Sequence, residues 1–123
     1  MGETPYPKQT RHLAETRRAL APEAEAAFHA FGEAVFREGA VSRKTKQLIA
    51  VAVAHTTQCP YCIQGHTKAA TRAGATPEEI MEAIWVAAEM RAGGAFAHAA
   101  IALDTLGLLE EEQPKPSGAG TAG

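Results

Sequence analysis

Residues 48–66 read Leu-Ile-Ala-Val-Ala-Val-Ala-His-Thr-Thr-Gln-Cys-Pro-Tyr-Cys-Ile-Gln-Gly-His, and the fold depends on how the first seven are interpreted. A short apolar run of this kind fits a buried strand or a buried helix equally well. Two features of the chain favour the helix: no later segment alternates in the manner of a strand, and alanine supplies much of the apolar content. An alanine-rich core is typical of closely packed helices, so the sequence predicts an all-α fold.

Helix signals recur along the chain and predict about six helices. They comprise proline at first-turn positions, a Thr-Pro-Glu-Glu start at residues 76–79, and an apolar stripe formed by Phe28, Phe31 and Val35. We expect the paired glycines Gly93 and Gly94 to break or kink the chain before the last helix. The predicted helices begin near residues 9, 22, 42, 59, 76 and 95.

The chain length of 123 residues fits one domain. We expect residues 1–109 to form a single helical domain with its core at about 22–106, and residues 110–123, rich in Glu, Pro, Ser and Gly, to be a disordered tail. Alanine faces allow close helix contact but bury little area per residue. We therefore expect the domain to complete its core by forming a homo-oligomer.

The charge balance argues against several classes of partner. A net charge of −2 and a pI of about 6.2 give no basic footprint for nucleic acid and no polybasic anchor for a membrane. No signal-peptide pattern opens the chain, and no apolar run approaches the roughly 20 residues of a membrane span. We expect a cytoplasmic protein, where a close cysteine pair is more often catalytic or metal-binding than structural.

The segment from Cys59 to His66 carries the chemistry. If a helix starts here, Cys59 is its N-cap, Pro60 occupies the first position and Cys62 lies in the first turn, where free N–H groups stabilise a thiolate. The two cysteines are three residues apart and close enough for a reversible disulfide. His66 follows Cys62 by four residues and shares its helix face, so it can carry a thiol proton.

Three other interpretations of these residues exist. Both cysteines could be small buried hydrophobic residues of an alanine-rich helix. Zinc could be bound by Cys59, Cys62 and His66 with His55 or His98 as a fourth ligand, although structural zinc sites usually take two short ligand pairs from separate loops. The letters Cys-Pro-Tyr-Cys also match the glutaredoxin motif, but the chain lacks the later strands and the facing proline of that fold.

Three segments together resemble the alkylhydroperoxidase D-like family, which includes the carboxymuconolactone decarboxylases: Lys44–Ala50, the Cys59-x-x-Cys62-x-x-x-His66 motif, and Gly74–Ile80. The resemblance covers roughly residues 24–105. It implies an all-helical oligomer, often a trimer or hexamer, with peroxidase or disulfide reductase activity and no metal, haem or other cofactor.

By the same analogy, Cys62 attacks a hydroperoxide or disulfide substrate and becomes a sulfenic acid when the substrate is a peroxide. Cys59 resolves it to the disulfide, an external dithiol donor reduces the pair, and His66 carries the proton. Cys62, Cys59 and His66 are therefore the expected catalytic residues.

Gln47 departs from the family pattern, which places a Glu of the proton relay twelve residues before the first cysteine. A glutamine can hydrogen-bond and orient His66, but it cannot accept a proton. Glu33 and Glu89 are candidates to supply the missing acid, with exposed surface charges as the alternative interpretation. His55 is a further candidate to line the site.

The leading hypothesis is a thiol-dependent peroxidase or disulfide oxidoreductase. One alternative is a lyase of the decarboxylase branch, acting on a lactone acid through His66 and a carboxylate; the motif lacks an obvious Arg for the substrate carboxylate. Another is a redox-sensing or scaffold oligomer without enzymatic turnover. Tyr61 and Trp85 could wall a small apolar pocket, or could simply pack in the core.

Overall fold

The computed structural model describes residues 5–110, which form five α-helices and, within that range, no strand. The helices are α1 (Arg11–Leu20), α2 (Pro22–Phe36), α3 (Arg43–Thr57), α4 (Pro60–Arg72) and α5 (Pro77–Thr105). The predicted all-α fold class is confirmed, and the apolar run 48–54 lies within α3. Beyond the exposed Glu110, the predicted tail lies outside the described residues.

The helix starts follow the local signals in the sequence. Ser42 caps α3 by accepting a hydrogen bond from the Thr45 backbone N–H at 3.1 Å. Thr76 and Glu79 form a reciprocal capping box at the start of α5. Three helices begin with proline at the first position, where the missing N–H costs no intrahelical hydrogen bond: Pro22, Pro60 and Pro77.

An ion pair joins the starts of α3 and α5. Lys44 Nζ lies 2.9 Å from Glu79 Oε2, with both side chains partly exposed. The hydrogen bond from the Thr76 backbone, followed by that from the Lys44 ammonium, lowers the pKa of the Glu79 carboxyl. The pair orients two helix starts but contributes little stability at such exposure.

The prediction that Gly93 and Gly94 break or kink the chain before a last helix is wrong. The chain remains helical through both glycines, so α5 is 29 residues long and replaces two predicted helices. Each glycine costs a helix roughly 1 kcal/mol relative to alanine. The flanking residues are mostly alanine, methionine and arginine, which are good helix formers, and they keep the helix continuous across the pair.

The core lies where α3 packs against α4 on one side and the first half of α5 on the other. Its buried side chains are small: Val51 and Ala70 are fully buried, and Ala75 is nearly so. Leu48, Ile80 and Ile84 pack around them and are partly buried. The small side chains let the three helices approach closely, as the alanine content predicted, and the resulting core is modest.

Much apolar surface remains exposed on the described chain. Every residue from Gly94 to Glu110 is exposed, including Phe96, which is 85% exposed, and Ile101, which is 61% exposed. Phe28 and Phe31 on α2 are 70% and 64% exposed. Across residues 5–110, no helix combines the length and the hydropathy needed to cross a membrane.

Candidate active site

The first cysteine lies at a tight junction between α3 and α4. Gln58 ends α3 in the left-handed conformation, with φ of 56°, and the Cys59 N–H then donates to Ala54 O at 3.2 Å. Cys59 itself is extended and is the N-cap of α4, as predicted. Its sulfur accepts a hydrogen bond from the Cys62 backbone N–H at 3.2 Å. The α4 N-terminus therefore directs a backbone donor at a sulfur atom.

Cys59 and Cys62 are joined by a disulfide, with their Cα atoms 5.2 Å apart. The expectation that the pair is close enough for a disulfide is confirmed. The residues that the structure describes include both cysteines of the chain, and neither is free. The structure is thus that of the oxidised pair.

His66 lies one helical turn beyond Cys62 and is held on two sides. Its Nδ1 is 2.8 Å from Oε1 of Gln47, which is 9% exposed. Because an amide oxygen can only accept, Nδ1 carries the hydrogen and donates it, and Nε2 keeps its lone pair. The imidazole also stacks on Phe36, with ring centroids 5.2 Å apart and planes inclined by 25°. The contact with the Gln47 oxygen favours the tautomer with hydrogen on Nδ1, and the stacking on Phe36 holds the ring plane of His66.

Cys62 and His66 open into an apolar cavity of about 450 Å³. Its walls come from the end of α2, the α2–α3 loop, one face of α3 and the first turns of α4. Apart from Lys46, Thr57 and the two site residues, the lining side chains are hydrocarbon: Val35, Phe36, Val41, Ile49, Ala50, Val53 and Ala54. Such a cavity has room for an organic molecule beside the sulfur of Cys62.

The candidate acids and His55 are not among the residues that line the cavity. Glu33 lines a neighbouring depression together with Gln47 and Phe36, the two residues that contact His66. Glu89 is exposed on α5, with its carboxylate beside Gly93. His55 donates through Nδ1 to the Val51 carbonyl of its own helix at 2.7 Å and is not among the cavity-lining residues.

Tyr61 and Trp85 do not line the cavity. Tyr61 donates its hydroxyl to the Pro7 carbonyl at 2.6 Å and packs edge-on against Tyr6. Trp85 is 68% exposed, so it neither lines the cavity nor packs in the core of the described chain. His98 donates to Gly94 O within α5. No three His, Cys, Asp or Glu side chains between residues 5 and 110 are grouped as metal ligands would be.

Lys46 is a cavity residue that sequence reasoning missed. It lies on the same face of α3 as Ile49, Ala50 and Val53, at positions 3, 4 and 7 of helical spacing, and all four line the cavity. Its ammonium donates to the Arg37 carbonyl of the α2–α3 loop at 2.6 Å. The helical spacing could have placed it on this face, but only the folded loop shows that this face borders a cavity.

Comparison with known proteins decides the family. The sequence model of the carboxymuconolactone decarboxylase family matches residues 22–105, more than half of the chain. The chain belongs to the carboxymuconolactone decarboxylase family. The match includes α2 to α5 and therefore every residue of the cavity and the cysteine motif.

Relatives with known sequence or structure support this family assignment. "Uncharacterized protein 4 in cox locus" of Paracoccus denitrificans is 59% identical over 110 residues, covering 89% of this chain and 98% of its own. A crystal structure of a carboxymuconolactone decarboxylase family protein from Legionella pneumophila is 38% identical, with a TM-score of 0.61, and covers 76% of this chain and 82% of its own. A Methanobacterium thermoautotrophicum structure, also 38% identical, has a TM-score of 0.64 and covers 68% and 93%.

Proposed function

We propose that this member of the carboxymuconolactone decarboxylase family is a thiol-dependent peroxidase that reduces organic hydroperoxides through Cys59 and Cys62. The observation that carries the proposal is a disulfide-bonded cysteine pair at a helix N-terminus, one turn from an oriented imidazole, at the wall of an apolar cavity. A lyase of the decarboxylase branch would act through His66 and a carboxylate and would not need either cysteine. Both cysteines are partly exposed, so neither is a small hydrophobic residue buried in the core.

In the reduced protein, the reaction begins at the Cys62 sulfur. The thiolate attacks the terminal oxygen of the hydroperoxide, the O–O bond breaks, and the alcohol leaves after taking a proton. Cys62 becomes a sulfenic acid. The Cys59 sulfur then attacks Cys62, forming the disulfide and releasing water. An external dithiol reduces the disulfide by exchange, which restores both thiols and oxidises the donor. The reaction requires no metal and no organic cofactor, and we place it in the cytoplasm, where dithiol donors are maintained.

His66 moves the protons of this cycle. With its Nδ1 hydrogen engaged by Gln47, its Nε2 lone pair is available to take the Cys62 thiol proton and to return it to the alkoxide that leaves. Gln47 positions the ring but neither accepts a proton nor stabilises an imidazolium by charge. We therefore propose that Gln47 is a positioning residue and that proton transfer in this protein relies on His66 alone.

We also propose that the working form is a homo-oligomer, a trimer or a hexamer. The described part of α5 beyond Gly93 is exposed along its whole length and carries large apolar side chains, among them Phe96 and Ile101. Contiguous exposed apolar patches on soluble proteins are typical of interfaces. A second copy of this chain, with its own exposed Phe28 and Phe31 on α2, supplies apolar surface of the same kind.

Two alternatives make different predictions. A lyase acting on a lactone acid would need His66 and an anion-binding group, and Lys46 in the cavity is an observation in its favour. Full lyase activity in a Cys59→Ser, Cys62→Ser double variant would support that function over ours. A redox sensor would form the disulfide once but would not turn over when a dithiol is supplied.

The two cysteines are expected to fail in different ways when each is replaced by serine. With cumene hydroperoxide and dithiothreitol, Cys62→Ser should lower kcat at least about a thousandfold, because it removes the nucleophile. Cys59→Ser should still consume one equivalent of peroxide in a single turnover and accumulate a sulfenic acid. Equal steady-state rates for Cys62→Ser and wild type would refute the peroxidase.

Replacing Gln47 by glutamate is expected to speed proton transfer. Gln47→Glu should raise kcat at neutral pH by about tenfold, since a carboxylate beside Nδ1 stabilises the imidazolium that forms when His66 takes a proton. Gln64→Glu, on the exposed surface of α4, is the matched control and should leave kcat unchanged. An unchanged or lower kcat in Gln47→Glu, with the fold intact by circular dichroism, would contradict the role given to Gln47.

The mass in solution is expected to be a multiple of the 12.9 kDa chain. Sedimentation equilibrium should give three or six chains for the wild type, and Phe96→Asp should lower the mass, because the charge is costly to bury in an apolar interface. Gln64→Asp adds the same charge to α4 and should keep the oligomer. A wild-type mass of one chain would exclude the homo-oligomer.

A further inference from the structure

Lys46 is the one lysine or arginine among the described side chains that line the cavity beside Cys62. Lys46 and Thr57 both line it and are eleven residues apart on α3, which corresponds to about 16 Å of helix. Cys62 lies at the Thr57 end, because the Cys59 N–H bonds to Ala54 O and the Cys59 sulfur accepts from the Cys62 N–H. Lys46 therefore lies toward the start of α3, and the hydrocarbon side chains of α3 line the cavity between it and Thr57.

The Lys46 ammonium has no carboxylate partner in the part of the chain that the structure describes. No Asp or Glu oxygen between residues 5 and 110 lies within 4 Å of its Nζ, and its one hydrogen bond goes to the neutral Arg37 carbonyl. Lys46 is also only partly exposed, so water does not surround it completely. An ammonium has three donors, so two N–H groups of Lys46 remain beyond the one that the Arg37 carbonyl accepts.

Among the described residues, Lys46 is the only cavity-lining side chain suited to bind an anion. Thr57 lies at the opposite end, His66 is held by Gln47, and Cys62 is the reacting group. A ligand that fills this cavity meets mostly hydrocarbon, with Lys46 and Cys62 among the few lining residues that are not. A molecule of matching chemistry has an aliphatic or aryl body and one terminal anion.

We propose that the substrate is an amphipathic carboxylate hydroperoxide of the fatty-acid type, bound with its carboxylate on Lys46 and its peroxide at Cys62. This proposal rests on the peroxidase function above and specifies its substrate. The peroxide O–O bond breaks as Cys62 takes the terminal oxygen, the product is the hydroxy acid, and the electrons come from the thiol pair. Lys46 takes no part in the bond changes and determines which hydroperoxide binds.

Binding by unreactive ligands tests the anion site without any turnover. In calorimetric titrations of the disulfide form, octanoate should bind about tenfold more tightly than octan-1-ol, the gain expected of one charge-assisted hydrogen bond at a partly exposed site. Lys46→Met keeps the aliphatic stem and should abolish the preference, whereas Lys46→Arg should retain it. Lys68→Met, on α4 and outside the cavity, is the matched control and should also retain it.

Turnover then tests the substrate class. The wild type should show a lower KM for a fatty-acid hydroperoxide than for its methyl ester, by about tenfold, and Lys46→Met should show equal KM values for the two. The acid preference should weaken in high salt, because ions screen a partly exposed charge. Circular dichroism of each variant establishes that it is folded. If Lys46→Met does not fold, the comparison of acid and ester in Lys46→Arg, which should keep the wild-type preference, still tests the role of the charge.

The outcomes separate the two proposals. If octanoate is preferred through Lys46 but no hydroperoxide is turned over, the anion site stands and the peroxidase fails. If cumene hydroperoxide is turned over but wild type treats acid and ester alike, the peroxidase stands and the role of Lys46 is overturned. Equal binding of octanoate and octan-1-ol by the wild type would also overturn it.

Discussion

The close packing of α3 against α4 is the constraint on which the rest of this structure depends. Val51 on α3 and Ala70 on α4 are fully buried, and side chains of this size let the two helices lie close together. A two-residue junction, with Gln58 in the left-handed conformation, reverses the chain between them. As a result, Cys59 begins α4 beside the end of α3, and His66 meets Gln47 near the start of α3.

The same packing positions the site residues but gives the described chain only a small hydrophobic core. A core of small side chains buries little apolar area, and hydrophobic stabilisation is proportional to that area. The long α5 extends past this core with its apolar side chains uncovered. Close helix contact thus fixes the positions of the cysteines and His66. Further stability of the fold is expected to come from contacts between copies of the chain.

Local signals made most of the fold predictable. Proline, threonine and serine at helix starts act within one turn, so the N-cap at Cys59 and the capping box at Thr76 could be predicted from sequence. Gly93-Gly94 misled because a propensity cost of about 1 kcal/mol per glycine was outweighed by the residues around it. Features that depend on contacts between residues distant in sequence could not be predicted from local signals. The exposure of Trp85 and the cavity position of Lys46 follow from how the helices and the α2–α3 loop pack.

The paired thiols are proposed to react with a hydroperoxide in a fixed order, Cys62 before Cys59. The most direct measurement is mass spectrometry of the reduced wild-type protein after one equivalent of cumene hydroperoxide, with a sulfenic-acid trap present in a parallel sample. We expect one intramolecular Cys59–Cys62 disulfide per peroxide consumed, and trapped sulfenic acid on Cys62. Two intact thiols after peroxide treatment, or sulfenic acid trapped on Cys59, would contradict it.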